Sequence, residues 1–390
     1  MAAASSQAPR IALLAGELSG DQLGADLMRG IKRRLPDARF EGVGGPAMAA
    51  EGLDSLYPLE TFSVMGLVEV LRHLPTLLRI RRELAQRFID DPPDMFVGID
   101  APDFNLGLAK RLRAAGITTA HYVSPTVWAW RQGRIKGIRR AVDLMLTVLP
   151  FEADFYEAHA VPVAFVGHPA ADRLEPGRDP RPWRERLGLD PERPVLAVLP
   201  GSRGSELEKL GAAFARSVKR LRRDHPRLQF IAPMATPRVR GLFEAHLADA
   251  GLAGVVRLLD GESEAAMSAA DVVLLACGTA ALEAMLLGRP MVVAYKVSGL
   301  TYGLVKGLGL MKIRHYAMPN VLAGRELAPE YIQSAVSAEN LSGAVDELLR
   351  EPAARARQVE GYAHLHEQLC RSAGDRAAEA LIACLNKHHS

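Results

Sequence analysis

The side chain best placed to do chemistry is Asp100. It ends a buried apolar run in Gly98-Ile99-Asp100-Ala101-Pro102-Asp103-Phe104-Asn105, where a helix begins behind Pro102. A carboxylate at the carboxyl edge of a strand faces the binding side of an open α/β sheet and can accept a proton from a substrate hydroxyl. The alternative is a turn carboxylate, and Asp103 or Asn105 suits the cap of the following helix. Too few oxygen ligands converge here for a metal, and no cofactor is expected. A second segment, Leu199-Pro200-Gly201-Ser202-Arg203-Gly204-Ser205-Glu206, reads as strand, glycine turn and helix. Its backbone N–H groups, with Ser202 and the Arg203 guanidinium, suit a diphosphate; a helix N-terminus favours an anion by about 0.3 to 1 kcal/mol. The Walker spacing is absent. Cys277-Gly278-Thr279-Ala280-Ala281-Leu282-Glu283 repeats the pattern, with Glu283 one turn inside the helix, able to accept both hydroxyls of a ribose or to sit on a polar face.

Other loops carry weaker signals. Gly16-Glu17-Leu18-Ser19-Gly20-Asp21 allows close backbone approach at a helix start, or Ser19 or Asp21 simply caps that helix. Gly42-Val43-Gly44-Gly45-Pro46-Ala47 formally fits a dinucleotide fingerprint, but it follows the second strand and Pro46 interrupts the turn. Ser124-Pro125-Thr126-Val127-Trp128-Ala129-Trp130-Arg131-Gln132 suits a half-exposed wall, facing a sugar or acyl group or packing between domains. The basic residues Arg131, Arg134, Lys136, Arg139 and Arg140 form a solvated helix face or one drawn to phosphate. Residues 64–89 are apolar at helical spacing with interspersed arginines and Pro75, which fits a crossover helix on the sheet or a basic amphipathic membrane surface.

These loops need strands behind them. Apolar runs at Arg10–Ala15, Arg39–Val43, Met95–Ile99, Thr118–Val123, Leu144–Val148 and Val163–Val166 alternate with helical stretches, and a second series follows at Val195–Leu199, Leu228–Ile231, Val255–Leu258, Val272–Ala276 and Met291–Ala294. The alternation predicts two α/β doubly wound domains of parallel strands, residues 1–174 and 195–365. The proline-rich stretch 175–194 reads as the linker, with a short helix around Trp183 to Leu187, and residues 366–390 as a helix that finishes the second domain or crosses back. With 390 residues, 48% hydrophobic and 24% charged, the chain is long enough for two cores and is not disordered. A net charge of +3 gives no footprint for nucleic acid. Three scattered cysteines fit neither a disulfide framework nor a zinc site, which suggests a reducing compartment. No signal peptide is read at the start and no run of about 18 apolar residues occurs, so a membrane-spanning helix is not expected and contact with a membrane surface stays open.

From about Ile11 to Cys370 the sequence resembles the lipid-A-disaccharide synthase family, through AGELSGD, GVGGPAM, VMGLVEVL, GIDAPDFN, HYVSPTVWAWRQGR, LPFEADFY, FVGHP, LPGSRGSE, CGTAALEAM and MPNVLAGRE in that order. The resemblance implies a GT-B fold, two Rossmann-like domains facing across a cleft with a helical C-terminal segment. It implies an inverting transfer of diacylglucosamine from its UDP donor to the 6-hydroxyl of diacylglucosamine 1-phosphate, giving a β-1,6 disaccharide and UDP. By position it makes Asp100, Arg203 and Asn320 catalytic, and Gly201, Ser202, Gly278, Thr279 and Glu283 donor-binding partners of Arg203. It sets Glu17, Ser19, Trp128 and Arg131 on the acceptor side. Val64, Met65, Leu67, Val68, Leu71, Leu74 and Leu78 match a hydrophobic membrane-facing patch, which implies a peripheral enzyme on the cytoplasmic face of the inner membrane. The family's C-terminal segment can exchange between subunits, which implies a homodimer. Two departures stand out: Cys277 where many relatives have Ser, which questions the thiol's inertness, and Tyr316-Ala317-Met318 before Pro319-Asn320. The rivals are a UDP-sugar 2-epimerase, a transferase with a polyprenyl-linked acceptor, and a nucleotide-sugar-binding regulator at the membrane surface.

Overall fold

The computed structural model describes residues 8–62, 67–129, 132–297 and 314–389. The chain divides into two compact units, Met1–Asp172 with Leu369–Ser390, and Arg173–Gln368.

In the first unit, seven strands form one sheet: β1 Arg10–Ala15, β2 Arg39–Val43, β3 Leu53–Ser55, β4 Met95–Ile99, β5 Thr118–Tyr122, β6 Leu144–Thr147 and β7 Val163–Phe165. Their order is β3-β2-β1-β4-β5-β6-β7, every pair parallel. Continuous apolar runs such as Ile11 to Ala15 are what a strand covered by helices on both faces requires. Ala12, Leu14, Phe96 and Met145 form the core with Leu108 and Leu112 of the helix Pro102–Ala114. The helix Leu67–Asp90 runs through Pro75 and buries Ile80, Leu84, Ala85 and Phe88 in the same core, so its C-terminal half is a crossover packed on the sheet.

The second unit repeats the plan with β8 Val195–Leu199, β9 Gln229–Met234, β10 Val256–Asp260, β11 Val272–Ala276, β12 Met291–Tyr295 and β13 Glu330–Ile332. The order is β10-β9-β8-β11-β12-β13, again parallel. Strands β3 and β13 are additions to the strands expected from sequence. Each is three residues long and lies at a sheet edge, so one pairing partner holds it and no apolar run announces it.

Both sheets change winding direction at one place, between β1 and β4 and between β8 and β11. Crevices outside the carboxyl ends of strands at such points are where ligands bind in this architecture. The segments singled out above follow β1, β4, β8 and β11.

The last helix, Ala373–His389, belongs to the first unit and lies along the helix Leu18–Arg34. A Cβ on Gly30 would stand 2.6 Å from the Gly374 carbonyl oxygen, so the two helices touch through backbone. Arg33 and Arg34 reach Asp375 at 2.8 and 2.9 Å. The Asp172 carboxylate accepts the N–H groups of Arg371, Ser372 and Ala373, at 2.9, 2.8 and 2.6 Å. Gly167 at φ 93° lets the returning chain pass: a Cβ there would meet the Leu369 carbonyl oxygen at 2.7 Å. The proline-rich stretch is tied to the second unit. Its helix Arg181–Arg186 buries Arg184, which donates to Asp271 (2.7 Å) and to the carbonyls of Ala269 and Pro191 (2.9 Å each). Among the described residues, no helix is long and apolar enough to cross a membrane.

Candidate active site

Asp100 leaves β4 with φ 51° and is followed by Ala101 at φ 41°; on the neighbouring strand, Val123 follows β5 at φ 74°. Three non-glycine residues in the left-handed region, one of them β-branched, mark a locally strained rim of the kind that clusters at functional sites. The strain is held by hydrogen bonds. The Asp100 N–H donates to the Tyr122 carbonyl at 2.9 Å, and the amide nitrogen of the fully buried Asn105 donates to the carbonyls of Asp100 (2.8 Å), Leu14 (3.2 Å) and Ile99 (3.3 Å). Gly98 makes room for this, since a Cβ would stand 2.7 Å from that of Asn105 and 3.0 Å from Nδ1 of His121. Asn105 therefore braces the turn from within, whereas Asp103 makes no cap and pairs with Arg134 at 2.5 Å.

Asp100 lines a pocket of about 340 Å³ with Pro102, residues 123–127 and Arg134. Burial raises its carboxyl above the ordinary aspartate value, partly offset by the Ala101 N–H. On the neighbouring strand His121, paired with Gly98, is wholly buried, and burial pushes its imidazole down to about 4, so the ring is neutral. The loop after β5 is held by a network that sequence reasoning did not assign a role. Ser124 Oγ and the Tyr156 hydroxyl lie 2.9 Å apart, and the Trp128 indole N–H donates to the buried Glu152 at 3.2 Å. Phe151 meets the Trp128 ring edge-on, centroids 4.7 Å apart. Burial pushes the Glu152 carboxyl up to about 7. The signal lies in LPFEADFY, where Glu152 stands between apolar residues at a helix start, but its side-chain partner Trp128 comes from the loop after β5.

After β1, Glu17 and Ser19 are exposed, and neither Ser19 nor Asp21 caps the helix. Asp21 instead turns to the loop after β2, where its buried carboxylate accepts the N–H groups of Gly45 (2.8 Å), Ala47 (2.9 Å) and Met48 (3.0 Å). The Gly44 N–H goes to Ser55 Oγ at 3.4 Å. The glycines that mimic a dinucleotide fingerprint thus have their donors taken from inside the protein.

In the second unit, Gly201, Ser202, Cys277, Gly278, Thr279 and Glu283 line one cleft of about 330 Å³, joining the loops after β8 and β11. Glu206 lines it too, and its carboxylate accepts the Ser202 and Arg203 N–H groups at 2.9 and 3.2 Å. Gly201, at φ 128°, makes this possible, since a Cβ would meet Glu206 Oε2 at 2.6 Å. The donors expected for a diphosphate are here occupied by an internal anion, and the Arg203 side chain is exposed. Burial raises the Glu283 carboxyl. Cys277 donates to the Tyr316 carbonyl at 3.2 Å, and burial, reinforced by Glu330 and Glu206, pushes its thiol up to about 12, so the thiolate is disfavoured.

Asn320 is fully buried. Its oxygen accepts the Leu327 and Ala328 N–H groups (2.8 and 2.9 Å), and its nitrogen donates to the Ala328 carbonyl at 2.8 Å. It pins the chain that leads into β13, where Glu330 accepts the N–H groups of Tyr316 (3.0 Å) and Ala317 (2.8 Å). Arg131, Val64 and Met65 lie outside the described residues, as do the side chains of Leu67, Val68 and Leu71. Leu74 is exposed and Leu78 half-buried.

Residues 11–383 match the family of lipid-A-disaccharide synthetases. The chain is 53% identical over 376 residues to the lipid-A-disaccharide synthase of Alkalilimnicola ehrlichii, covering 96% of this chain and 98% of that one. It is 55% identical over 372 residues to that of Chromohalobacter salexigens, covering 95% and 96%. Among solved structures, a UDP-GlcNAc 2-epimerase from Neisseria meningitidis bound to UDP-GlcNAc superposes with a TM-score of 0.64 at 13% identity, over 97% of this chain and all of that one. At that identity the likeness concerns the fold, which is GT-B, with two parallel sheets and their helices. The sequence match separates the epimerase from the transferase, and the chain belongs to the lipid-A-disaccharide synthetase family, glycosyltransferases of lipid A disaccharide synthesis.

Proposed function

We propose that the enzyme transfers 2,3-diacylglucosamine from UDP to the 6-hydroxyl of 2,3-diacylglucosamine 1-phosphate, with inversion, giving the β-1,6 disaccharide 1-phosphate and UDP. The observation that carries the chemical assignment is Asp100, a half-buried carboxylate on a strained turn in its own pocket. A carboxyl raised by burial is a stronger base once ionised, and it takes the proton of the acceptor hydroxyl as that oxygen attacks the anomeric carbon. Negative charge grows on the departing diphosphate and must be stabilised.

The cleft of the second unit suits that task. Glu283 accepts the ribose hydroxyls, and Arg203 with the helix starts near Gly201 and Gly278 faces the diphosphate. For the Ser202 and Arg203 N–H groups to reach phosphate, Glu206 has to release them. Asn320 acts as a positioning residue for the loop ahead of β13. Glu17, Ser19 and Trp128 border the acceptor side, with Trp128 fixed by Glu152. The residues from Val64 to Leu78 rest on the cytoplasmic face of the inner membrane, where a lipid acceptor is delivered, and the C-terminal helix exchanges within a homodimer.

The test is UDP release from UDP-2,3-diacylglucosamine by the purified enzyme, with and without the acceptor phosphate, the lipid product read by mass spectrometry. Acceptor-dependent UDP with a disaccharide phosphate is expected. Donor binding without UDP release would reject the reaction.

A further inference from the structure

The pocket that holds Asp100 also holds a cation. Among its described lining residues, Pro102, Val123, Pro125 and Val127 are apolar, Ser124 and Thr126 are neutral, and Arg134 is the basic one. Arg134 precedes the helix Ile135–Arg139, and its guanidinium donates to Asp103 at 2.5 Å. The Asp103 side chain is 89% exposed and that of Arg134 35%. An ion pair so open to water adds little stability and can exchange its anion. A more highly charged oxyanion entering the pocket competes directly for the guanidinium, whose planar fork matches two phosphate oxygens. A phosphorylated sugar brought to Asp100 without a compensating cation would set two anions against each other.

We infer that Arg134 determines acceptor specificity by binding a phosphate monoester on the sugar whose hydroxyl faces Asp100. The inference rests on the proposed reaction and deepens it. One charged group at each of two positions in the pocket orients the ring, so the hydroxyl meets the base while the phosphate meets the guanidinium. Arg134 also balances the charge of an acceptor that approaches a carboxylate.

The experiment compares initial rates with two short-chain, water-soluble acceptor analogues, one bearing the 1-phosphate and one lacking it, in solution free of membranes. Wild type prefers the phosphorylated analogue in kcat/KM. Arg134→Gln reduces that preference about 10- to 100-fold through acceptor KM, the range expected for losing a charge-assisted bidentate contact, with donor KM unchanged. Arg134→Lys, which keeps the charge but not the fork, recovers part of it. Asp103→Asn breaks the ion pair without removing the guanidinium and keeps the preference. Retention of the wild-type preference in Arg134→Gln, or an equal loss in Asp103→Asn, overturns the inference, because Arg134 would then act only through its pair with Asp103. A defect in Arg134→Gln seen only when vesicles are added assigns the guanidinium to lipid headgroups and overturns it too. Absence of acceptor-dependent UDP release by the wild type overturns the reaction itself, a result distinct from any of these.

Discussion

At the scale of single residues, the half-buried Asp100 and the buried Glu152 make opposite contributions. Asp100 is kept partly out of water beside a strained turn, which favours its protonated form. Because its pKa lies above the 3.8 of free aspartate, acidification protonates Asp100 before an exposed aspartate, and with Asp100 as the proposed base kcat/KM should fall with an inflection above pH 3.8. Asp100→Asn keeps a residue that tolerates left-handed backbone. Turnover should fall about 10²- to 10⁴-fold while UDP affinity holds; steady-state rates and isothermal titration check both, and wild-type turnover would remove the base from Asp100. Glu152 serves structure. Its pKa rises from 4.5 to about 7 on folding, so its contribution to stability is full below pH 4.5 and is lost as pH rises to about 7. Glu152→Gln keeps an acceptor for the Trp128 indole and carries no charge. Its melting temperature should exceed that of wild type by a margin that widens between pH 4.5 and about 7, and a pH-independent margin would contradict the burial argument.

At the scale of elements, the start of the terminal helix is capped by the Asp172 carboxylate. Asp172 accepts the N–H groups of Arg371 and Ser372, just ahead of the helix Ala373–His389, and of Ala373, its first residue, whose N–H has no partner within the helix. Asp172→Ala should cost about 1 to 2 kcal/mol, the usual range for a lost cap, and loosen the returning chain. Urea unfolding measures the first effect, and limited proteolysis within residues 369–390 the second. Unchanged cleavage would mean that the Gly30 to Gly374 contact and the pairs to Asp375 suffice. The glycine loops act at this scale as well. Gly45 feeds an N–H to Asp21, and Gly201 makes room for Glu206, so each turn is closed by a carboxylate of the protein.

At the scale of the whole molecule, two similar sheets carry different loops: the strained turn at Asp100 lies in one unit and the helix starts with Glu283 in the other. A lipid acceptor requires access to a membrane surface, and the apolar residues from Val64 to Leu78 are the sequence feature suited to it. Replacing Val64, Leu67 and Leu71 together with Ser should reduce sedimentation with anionic vesicles while leaving activity on short-chain substrates; unchanged sedimentation would discard the patch.

The sequence by itself determined the two α/β halves, because a strand buried on both faces needs an unbroken apolar run and a crossover helix needs an amphipathic one, and both patterns are local. It also marked Asp100, Gly201 and Gly278, since turn chemistry at the end of a strand is written in consecutive residues. Tertiary structure alone decided what those turns are bonded to. Asp21 and Asp172 cap elements 24 or more positions away, and Glu152 at a helix start meets Trp128 on the loop after β5, whereas Glu206 fills amides only three and four residues before it, a contact local enough to be written in the sequence. Strands β3 and β13 were equally hidden, being too short to carry a pattern and existing only through the neighbour they pair with. Hydrogen bonds between distant segments leave no period in a sequence, because their partners are chosen by the fold that brings them within 3 Å.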